Sequence, residues 1–531
     1  MYAKTYGVCI NGIDGYVVTV EVDISPGLPS FDIVGLPATS VKEAKERVRS
    51  AIKNGGFEFP MKRIVVNLAP AHIRKDGSSL DLAIAMGILR AQEEGKSKKR
   101  GSVADSQHVF IGELSLDGSL QPVIGMLSMV MSVSNPTFHK VEAMQSISNV
   151  QDIIVPKENR DEAKAGASLP VLGMSTLAQV VEIVQHPESI ETYMVPTSEV
   201  DENVLHKEEM ADEILDLRDV KGQAMGKRAL AIAAAGGHHL LMTGPPGSGK
   251  TMLAKRLPYL LPPLSREEQL EVSRIYSVMG LLTRGRLMEQ RPFRSPHHTS
   301  TLVAMAGGGQ LPRPGEITLA HKGVLFLDEA PEFRRPVIEV LRQPLEERQV
   351  HIARIGMATT YPSDCIVVMA MNPCPCGWFG TNEDHQCTCT ATQIQRYQRA
   401  LSGPILDRMD LIVPIERPTL TDIHGPKDTM TTSYIRECVI RAREIQMKRY
   451  KGTNIQVNAH MSHGDIEKFG ALSEKGKELL DAAFTTLHLS LRSYDRIIKV
   501  ARTIADLETS DYIEPHHIAE ALSYRQVQEG L

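Results

Sequence analysis

Residues 238–261 read HHLLMTGPPGSGKTMLAKRLPYLL: a short apolar run, a glycine-rich turn, then a helix-forming segment. The turn comprises Gly244, Pro245, Pro246, Gly247, Ser248, Gly249, Lys250 and Thr251. It fits the pattern G-x-x-x-x-G-K-[ST] in the strand-to-helix context that such a loop requires. Glycine lets the backbone curl until successive N–H groups point at phosphate oxygens, and the helix N-terminus adds positive potential. Lys250 is expected to reach the β- and γ-phosphates of ATP, with the Thr251 hydroxyl on Mg²⁺. The alternative, a glycine turn that binds nothing, has to ignore the strand and helix on either side.

Further along, Val324-Leu-Phe-Leu-Asp-Glu329 is an apolar strand ending in two acids. In an open α/β sheet, ligands bind beyond the carboxyl ends of the strands. Asp328 is expected to hold Mg²⁺ through water and Glu329 to orient and deprotonate the attacking water. A second unbroken apolar run, Ile366–Met371, leads to Asn372. Strands of this kind suit a parallel sheet covered on both faces.

Outward from these motifs, the length of 531 residues implies about three domains. Residues 1–185 mix strands such as Arg63–Asn67 with helices such as Asp81–Arg90, and residues 186–212 read as a polar linker. Residues 213–424 alternate strand, turn and helix, and residues 425–531 read as helices. The expected fold is therefore α/β: a P-loop parallel sheet with a helical lid, preceded by an α+β domain. The composition, 42% hydrophobic and 23% charged, is that of a globular protein, and no run offers the roughly 20 apolar residues that span a bilayer. The first residues alternate like a strand and lack the pattern of a signal peptide, so a cytoplasmic location without membrane contact is expected. A formal charge of −5 argues against a broadly basic nucleic-acid binder but leaves room for a local basic loop.

Four of the seven cysteines, Cys374, Cys376, Cys387 and Cys389, fall in one excursion, residues 374–389. In a cytosolic chain that clustering points to a metal before disulfides, and four thiolates suit structural Zn²⁺. The C-x-C spacing is tighter than usual, His385 is a substitute ligand, and reduced free thiols are the alternative.

The order of motifs resembles AAA+ ATPases, particularly the branch containing magnesium chelatase and the MCM helicases. By that resemblance Asn372 is sensor 1, Arg408 in SGPILDRMDL is an arginine finger for a neighbouring subunit, and Arg492, with Arg496 one turn on, is sensor 2 of the lid. Asp219-Val-Lys-Gly-Gln223 lies where this branch packs against adenine, which brings in Val220 and Gln223. A finger acting in trans implies a ring, usually a hexamer. Pro292-Phe-Arg-Ser-Pro-His-His298, PRPGEITLAHKGVLFLDEAPEF and MNPCPCG with QIQRY extend the resemblance over nearly the whole chain, to the YifB/ComM family of magnesium-chelatase-like ATPases. ComM-type members are implicated as hexameric DNA helicases that drive branch migration in natural transformation.

The N-terminal part resembles the Lon-protease-like fold, through Lys75-Asp-Gly-Ser-Ser79, Gly112–Leu116 and Val155–Asn159. Ser79 takes the position of Lon's nucleophile, but Leu127 stands where the lysine base belongs, so a binding or assembly domain without peptidase activity is expected. Candidate DNA-contacting segments are Arg284–His298, with Phe293 as a stacking ring, and Arg348–Arg354, read as a hairpin. Their arginines are equally suited to pairing with acids at subunit interfaces. His297 and His298 lack a third metal ligand. The main expectation is an ATP-driven motor on single-stranded or branched DNA; a chelatase-like remodeller of a protein partner is the rival, and a protease a third.

Overall fold

The computed structural model describes residues 1–96, 108–134, 150–186, 215–282, 285–309, 312–354, 357–380, 386–424 and 430–525. Most of the expected linker, together with Arg284 and His385, lies outside the described residues. The chain divides into two compact units, Met1–Glu208 with Arg266–Met288, and Glu209–Ser265 with Glu289–Leu531.

In the first unit the strand Asp14–Ser25 alternates, so Val18, Val20, Val22 and Ile24 share one face and are buried. It pairs antiparallel with Tyr2–Asn11 on one side and Arg63–Ala69 on the other. Ser30–Val34 adds in parallel beyond Arg63–Ala69, and His108–Phe110, Asp152–Pro156 and Val171–Met174 continue in parallel from Tyr2–Asn11. The result is a seven-stranded mixed sheet among the described residues. The helix Asp81–Lys96 buries Leu82, Ile84, Ile88 and Leu89 in the same core.

One helix falls differently from the sequence reading. Arg266–Val278, expected inside the 213–424 core, belongs to the first unit. There Arg274 Nη2 meets Asp14 Oδ1 at 2.5 Å and the Ile13 carbonyl at 3.2 Å, while the Ser277 hydroxyl donates to Glu162 at 2.5 Å. Helical periodicity announces a face to be buried but not the core that will bury it.

The second unit is built on a five-stranded parallel sheet in the order Phe293–Arg294, Val324–Leu327, Ile366–Met371, Leu240–Thr243, Leu411–Pro414. Every residue of Val324–Leu327, Ile366–Met371 and Leu240–Thr243 is buried, as expected for strands covered on both faces. Gln349–Arg354, from the segment expected to form a hairpin by itself, is one strand of an antiparallel hairpin whose other strand is Met357–Pro362, and the pair precedes Ile366–Met371.

The C-terminal helices are continuous with this core: Val439, Ala442, Ile497, Ile504 and Ile518 cluster with Leu230, Leu257 and Phe326. A buried polar knot ties them together. Asp506 accepts from Arg449 at 2.9 Å, Arg502 at 3.1 Å and Asn458 at 2.8 Å, with the Asp506 and Arg502 side chains essentially inaccessible. A carboxylate with this many donors offsets the cost of its own desolvation, and deleting it strands two guanidinium groups. Asp506→Ala is therefore expected to destabilise the second unit by about 3–5 kcal/mol in denaturant titration. A loss below about 1 kcal/mol would contradict this view of the knot.

Candidate nucleotide site

The glycine-rich loop closes between two neighbouring strands. Gly244 N–H donates to the Met371 carbonyl at 3.1 Å, and Ile415 N–H donates to the Thr243 carbonyl at 2.7 Å. A Cβ on Gly244 would stand 2.1 Å from the Ile415 carbonyl oxygen, so this approach admits only glycine. Gly249, at φ +96°, turns the chain into the helix Lys250–Leu260.

Lys250 Nζ donates to the carbonyls of Gly244 at 2.6 Å and Pro245 at 2.9 Å, and to Asn372 Oδ1 at 3.1 Å. The Thr251 hydroxyl donates to Asp328 Oδ2 at 2.8 Å, and Asp328 Oδ1 accepts the Glu329 N–H at 3.0 Å. These contacts bring Lys250, Thr251, Asp328, Glu329 and Asn372 together at the carboxyl ends of three adjacent strands. Glu329 sits at φ +50°, a left-handed conformation that costs a non-glycine residue about 1–3 kcal/mol. Its carboxylate lies 3.8 Å from His298 Nδ1, and His298 in turn meets Phe333 edge-on.

The residues fit a nucleotide–Mg²⁺ complex. Ser248 Oγ is buried with no hydrogen-bond partner among the described residues, a donor that a phosphate oxygen satisfies. The loop supplies curled backbone and an ammonium, and the Thr251–Asp328 pair supplies the hard oxygen ligands Mg²⁺ prefers. Gln223, left-handed at φ +61°, donates from Nε2 to the Ser248 carbonyl at 3.1 Å and to the Glu416 carbonyl. Val220 is buried close by in sequence.

Arg408, Arg492 and Arg496, expected as finger and sensor arginines, pair elsewhere among the described residues. Arg408 and Arg492 converge on one carboxylate, Glu346 Oε1, at 2.6 and 3.3 Å. Arg496 Nη1 pairs with Asp410 Oδ1 at 3.2 Å. Burial pushes the Asp410 carboxyl up, but Arg496, His238 and His239 outweigh it and hold the group well below the usual carboxylate range.

Two expectations about the basic stretch need correction. Phe293 is not a free stacking platform: its ring lies 6.0 Å from Phe326 against the core, where the sequence offered no sign of a partner. Arg294 is engaged by Glu316 in a bidentate pair at 2.6 and 2.8 Å. Arg291 donates to the Pro262 and Lys322 carbonyls.

The four cysteine sulfurs lie within 4.8 Å of one another. Cys374 and Cys376 are 3.3 Å apart, Cys376 and Cys387 3.5 Å, and Cys374 and Cys387 3.7 Å. Zn–S bonds of about 2.3 Å make the edge of a tetrahedron about 3.8 Å, so the donor set fits Zn²⁺. Backbone N–H groups of Trp378 and Thr388, with neighbouring thiols, pull the Cys376 thiol down to about 6. At Cys387 and Cys389 backbone hydrogen bonds are outweighed by burial and neighbouring thiols, which push both up, so the cluster titrates as one group. The other His/acid group, Glu508, His516 and His517, does not suit a metal. His517 Nδ1 accepts the Glu514 N–H at 2.9 Å, which leaves Nε2 protonated toward Glu508.

In the first unit Ser79 Oγ is buried and donates to the Val8 carbonyl at 2.7 Å, and Leu127 is wholly buried.

Fold and site define a P-loop ATPase of the AAA+ class. The family described as Magnesium chelatase, subunit ChlI, matches residues 216–423, that described as Subunit ChlI of Mg-chelatase matches 20–159, and that described as Magnesium chelatase, subunit ChlI C-terminal, matches 429–525. The uncharacterized protein YifB of Escherichia coli is 42% identical over 98% of this chain and 96% of its own length. Competence protein ComM of Haemophilus influenzae is 40% identical over 98% of this chain and 97% of its own. The probable DNA helicase MCM9 of Arabidopsis thaliana is 26% identical over 38% of this chain and 25% of its own. The chain belongs to the YifB/ComM family of magnesium-chelatase-like AAA+ ATPases. ATP and Mg²⁺ are the cofactors that membership implies, and among the described residues no helix is long and apolar enough to cross a membrane.

Burial holds the Lys250 ammonium down at about 8, against upward pulls from Asp328 and Glu329. Nucleotide phosphates favour the charged form, so binding above that pH takes up a proton and affinity falls as pH rises through about 8. Calorimetric titration of ATP between pH 7 and 9.5 checks this; an affinity flat across that range would contradict it.

Proposed function

We propose that this ATPase is a hexameric motor that drives single-stranded or branched DNA through its cycle of ATP hydrolysis, in the cytoplasm. The observation that carries the reading is full-length similarity to a competence protein, joined by a shorter likeness to a probable DNA helicase. Lys250 and Thr251 hold the phosphates and Mg²⁺ with Asp328. Glu329 takes the proton from the attacking water, which Asn372 orients from beside Lys250. Val220 and Gln223 flank the adenine. Arg408 acts on the γ-phosphate of a neighbouring subunit, and Arg492, with Arg496, reports nucleotide through the lid. Glu346 holds Arg408 and Arg492 together, so a change at either arginine is felt by the other. Zn²⁺ on Cys374, Cys376, Cys387 and Cys389 completes the cofactors. Residues 1–185 form the binding or assembly domain, joined through the linker to the ATPase core and lid.

A second reading, an ATPase that remodels a protein partner, is favoured by the engagement of Arg291, Arg294 and Phe293 within the chain. Three of the candidate DNA contacts are thereby taken up by the fold itself. The hairpin of Gln349–Arg354 with Met357–Pro362 then bears more of the DNA reading.

Steady-state phosphate release, with and without single-stranded and forked DNA and with Glu329→Gln as blank, separates the two. The motor predicts a several-fold rise with DNA; a robust rate that no DNA moves would favour the remodeller. Arg408→Ala should bind ATP normally but lose about 10³-fold or more in turnover. Mixing it with Lys250→Ala subunits, which keep their fingers, should restore part of the rate. Full turnover by Arg408→Ala alone would remove it as the finger.

A further inference from the structure

The cysteine loop does not hang free of the sheet. It leaves the end of the strand Ile366–Met371 directly after Asn372 and Pro373, and it returns through the helix Ala391–Gln398. At the return, Gln398 Nε2 donates to the Pro373 carbonyl at 3.2 Å, and the buried Tyr397 oxygen accepts from the Asn372 backbone N–H. Asn372 is thus gripped from behind while its side chain meets Lys250.

The tip of the loop touches the phosphate-binding loop itself. Gly377, at φ +87°, lies so close to Pro246 that a Cβ there would fall 2.5 Å from Pro246 Cδ. Trp378, the only tryptophan of the chain, carries the Arg417 guanidinium 4.5 Å above its ring. The same guanidinium donates to the Pro246 carbonyl at 3.1 and 3.3 Å. Within the loop Gly377 N–H donates to the Cys374 carbonyl at 3.0 Å and Phe379 N–H to Cys374 Sγ at 3.3 Å, so the tip is folded directly onto the sulfur cluster.

We infer that the four cysteines are a zinc clamp that sets the nucleotide site: bound Zn²⁺ fixes the loop, and the loop fixes Pro246 from one side and Asn372 from the other. The inference rests on the ATP-site and zinc readings above but not on DNA as substrate. Thiolates repel one another and thiols gain little from mutual contact, so a central cation is what best holds four sulfurs of two short C-x-C arms at tetrahedral distances. When the metal is lost the arms separate, Gly377 and Trp378 withdraw from Pro246, and the curl of the phosphate loop loses its outer wall. Gly377 and Gln398 are then positioning residues, since they act through Pro246 and through the backbone beside Asn372.

Trp378 makes the test direct. Zinc content is measured in the full chain as purified, and the metal is then stripped with a chelator. ATP is titrated into both forms, following tryptophan emission and, separately, displacement of a fluorescent ATP analogue. The expected results are about one zinc per chain, an emission change that saturates with ATP in the loaded form, and an ATP dissociation constant at least about tenfold weaker after stripping. Zinc restored to the stripped protein should recover both signals.

Gly377→Ala keeps all four thiols but crowds Pro246. It should retain zinc and a cooperative melt, lowered only by the strain of a side chain at φ +87°, while showing the same weakened affinity, which guards against stripping having merely unfolded the chain. Stripped protein, or Gly377→Ala, that stays folded and binds ATP as tightly as the loaded wild type would overturn the coupling and leave the ATP site standing. Protein that contains no zinc as purified would overturn the clamp. Loaded protein whose ATP affinity is no better than that of Lys250→Ala would overturn the ATP-site reading along with it.

Discussion

One buried ammonium organises the site. Lys250 donates to the Gly244 and Pro245 carbonyls and so holds the phosphate loop in its curl, and its third donor reaches Asn372 on the neighbouring strand. A cation this far from water must be satisfied on every side, and the chain satisfies it with the groups it needs close together. The sheet makes the reach short. Because Leu240–Thr243 lies beside Ile366–Met371, and that beside Val324–Leu327, the loop, Asn372 and Asp328 leave one edge in consecutive positions. The Thr251–Asp328 bond then closes the arrangement on the metal side.

Around this centre the fold adds restraints from two directions. The cysteine loop presses on Pro246 and stands behind Asn372, while Gln223 ties the Ser248 carbonyl to the end of the last strand at Glu416. The C-terminal helices share the hydrophobic core of the sheet and reach its strands through Arg496 and Asp410. Asp410 also contacts His238, at the start of the strand that carries the phosphate loop, so the lid and the nucleotide strand meet at one buried carboxylate.

Much of the centre was legible in the sequence because it is local. A glycine-rich turn between strand and helix, and two acids closing an apolar strand, are short patterns whose chemistry follows from spacing alone. The parallel sheet was legible in the unbroken apolar runs Val324–Leu327 and Ile366–Met371. Long-range partners were not. Nothing in the periodicity of Arg266–Val278 says that Arg274 will find Asp14, more than two hundred residues earlier in the chain. Arg294 and Phe293 looked available for DNA because sequence shows a residue's chemistry but not its neighbour; Glu316 and Phe326 occupy them. The contact of Gly377 with Pro246 was equally hidden, although the glycine belongs to a motif that had been singled out for its cysteines. Arg408 and Arg492 came from separate motifs, with no hint that Glu346 would join them.

The central claim, that Asn372 held beside Lys250 serves hydrolysis and not nucleotide binding, is tested most directly by single-turnover cleavage of Mg–ATP. Asn372→Ala and the wild type are compared at saturating protein, with ATP affinity measured in parallel. The account predicts an affinity within a few-fold of wild type and cleavage slowed by about 100-fold or more. Cleavage at the wild-type rate, with ATP bound equally well, would contradict it.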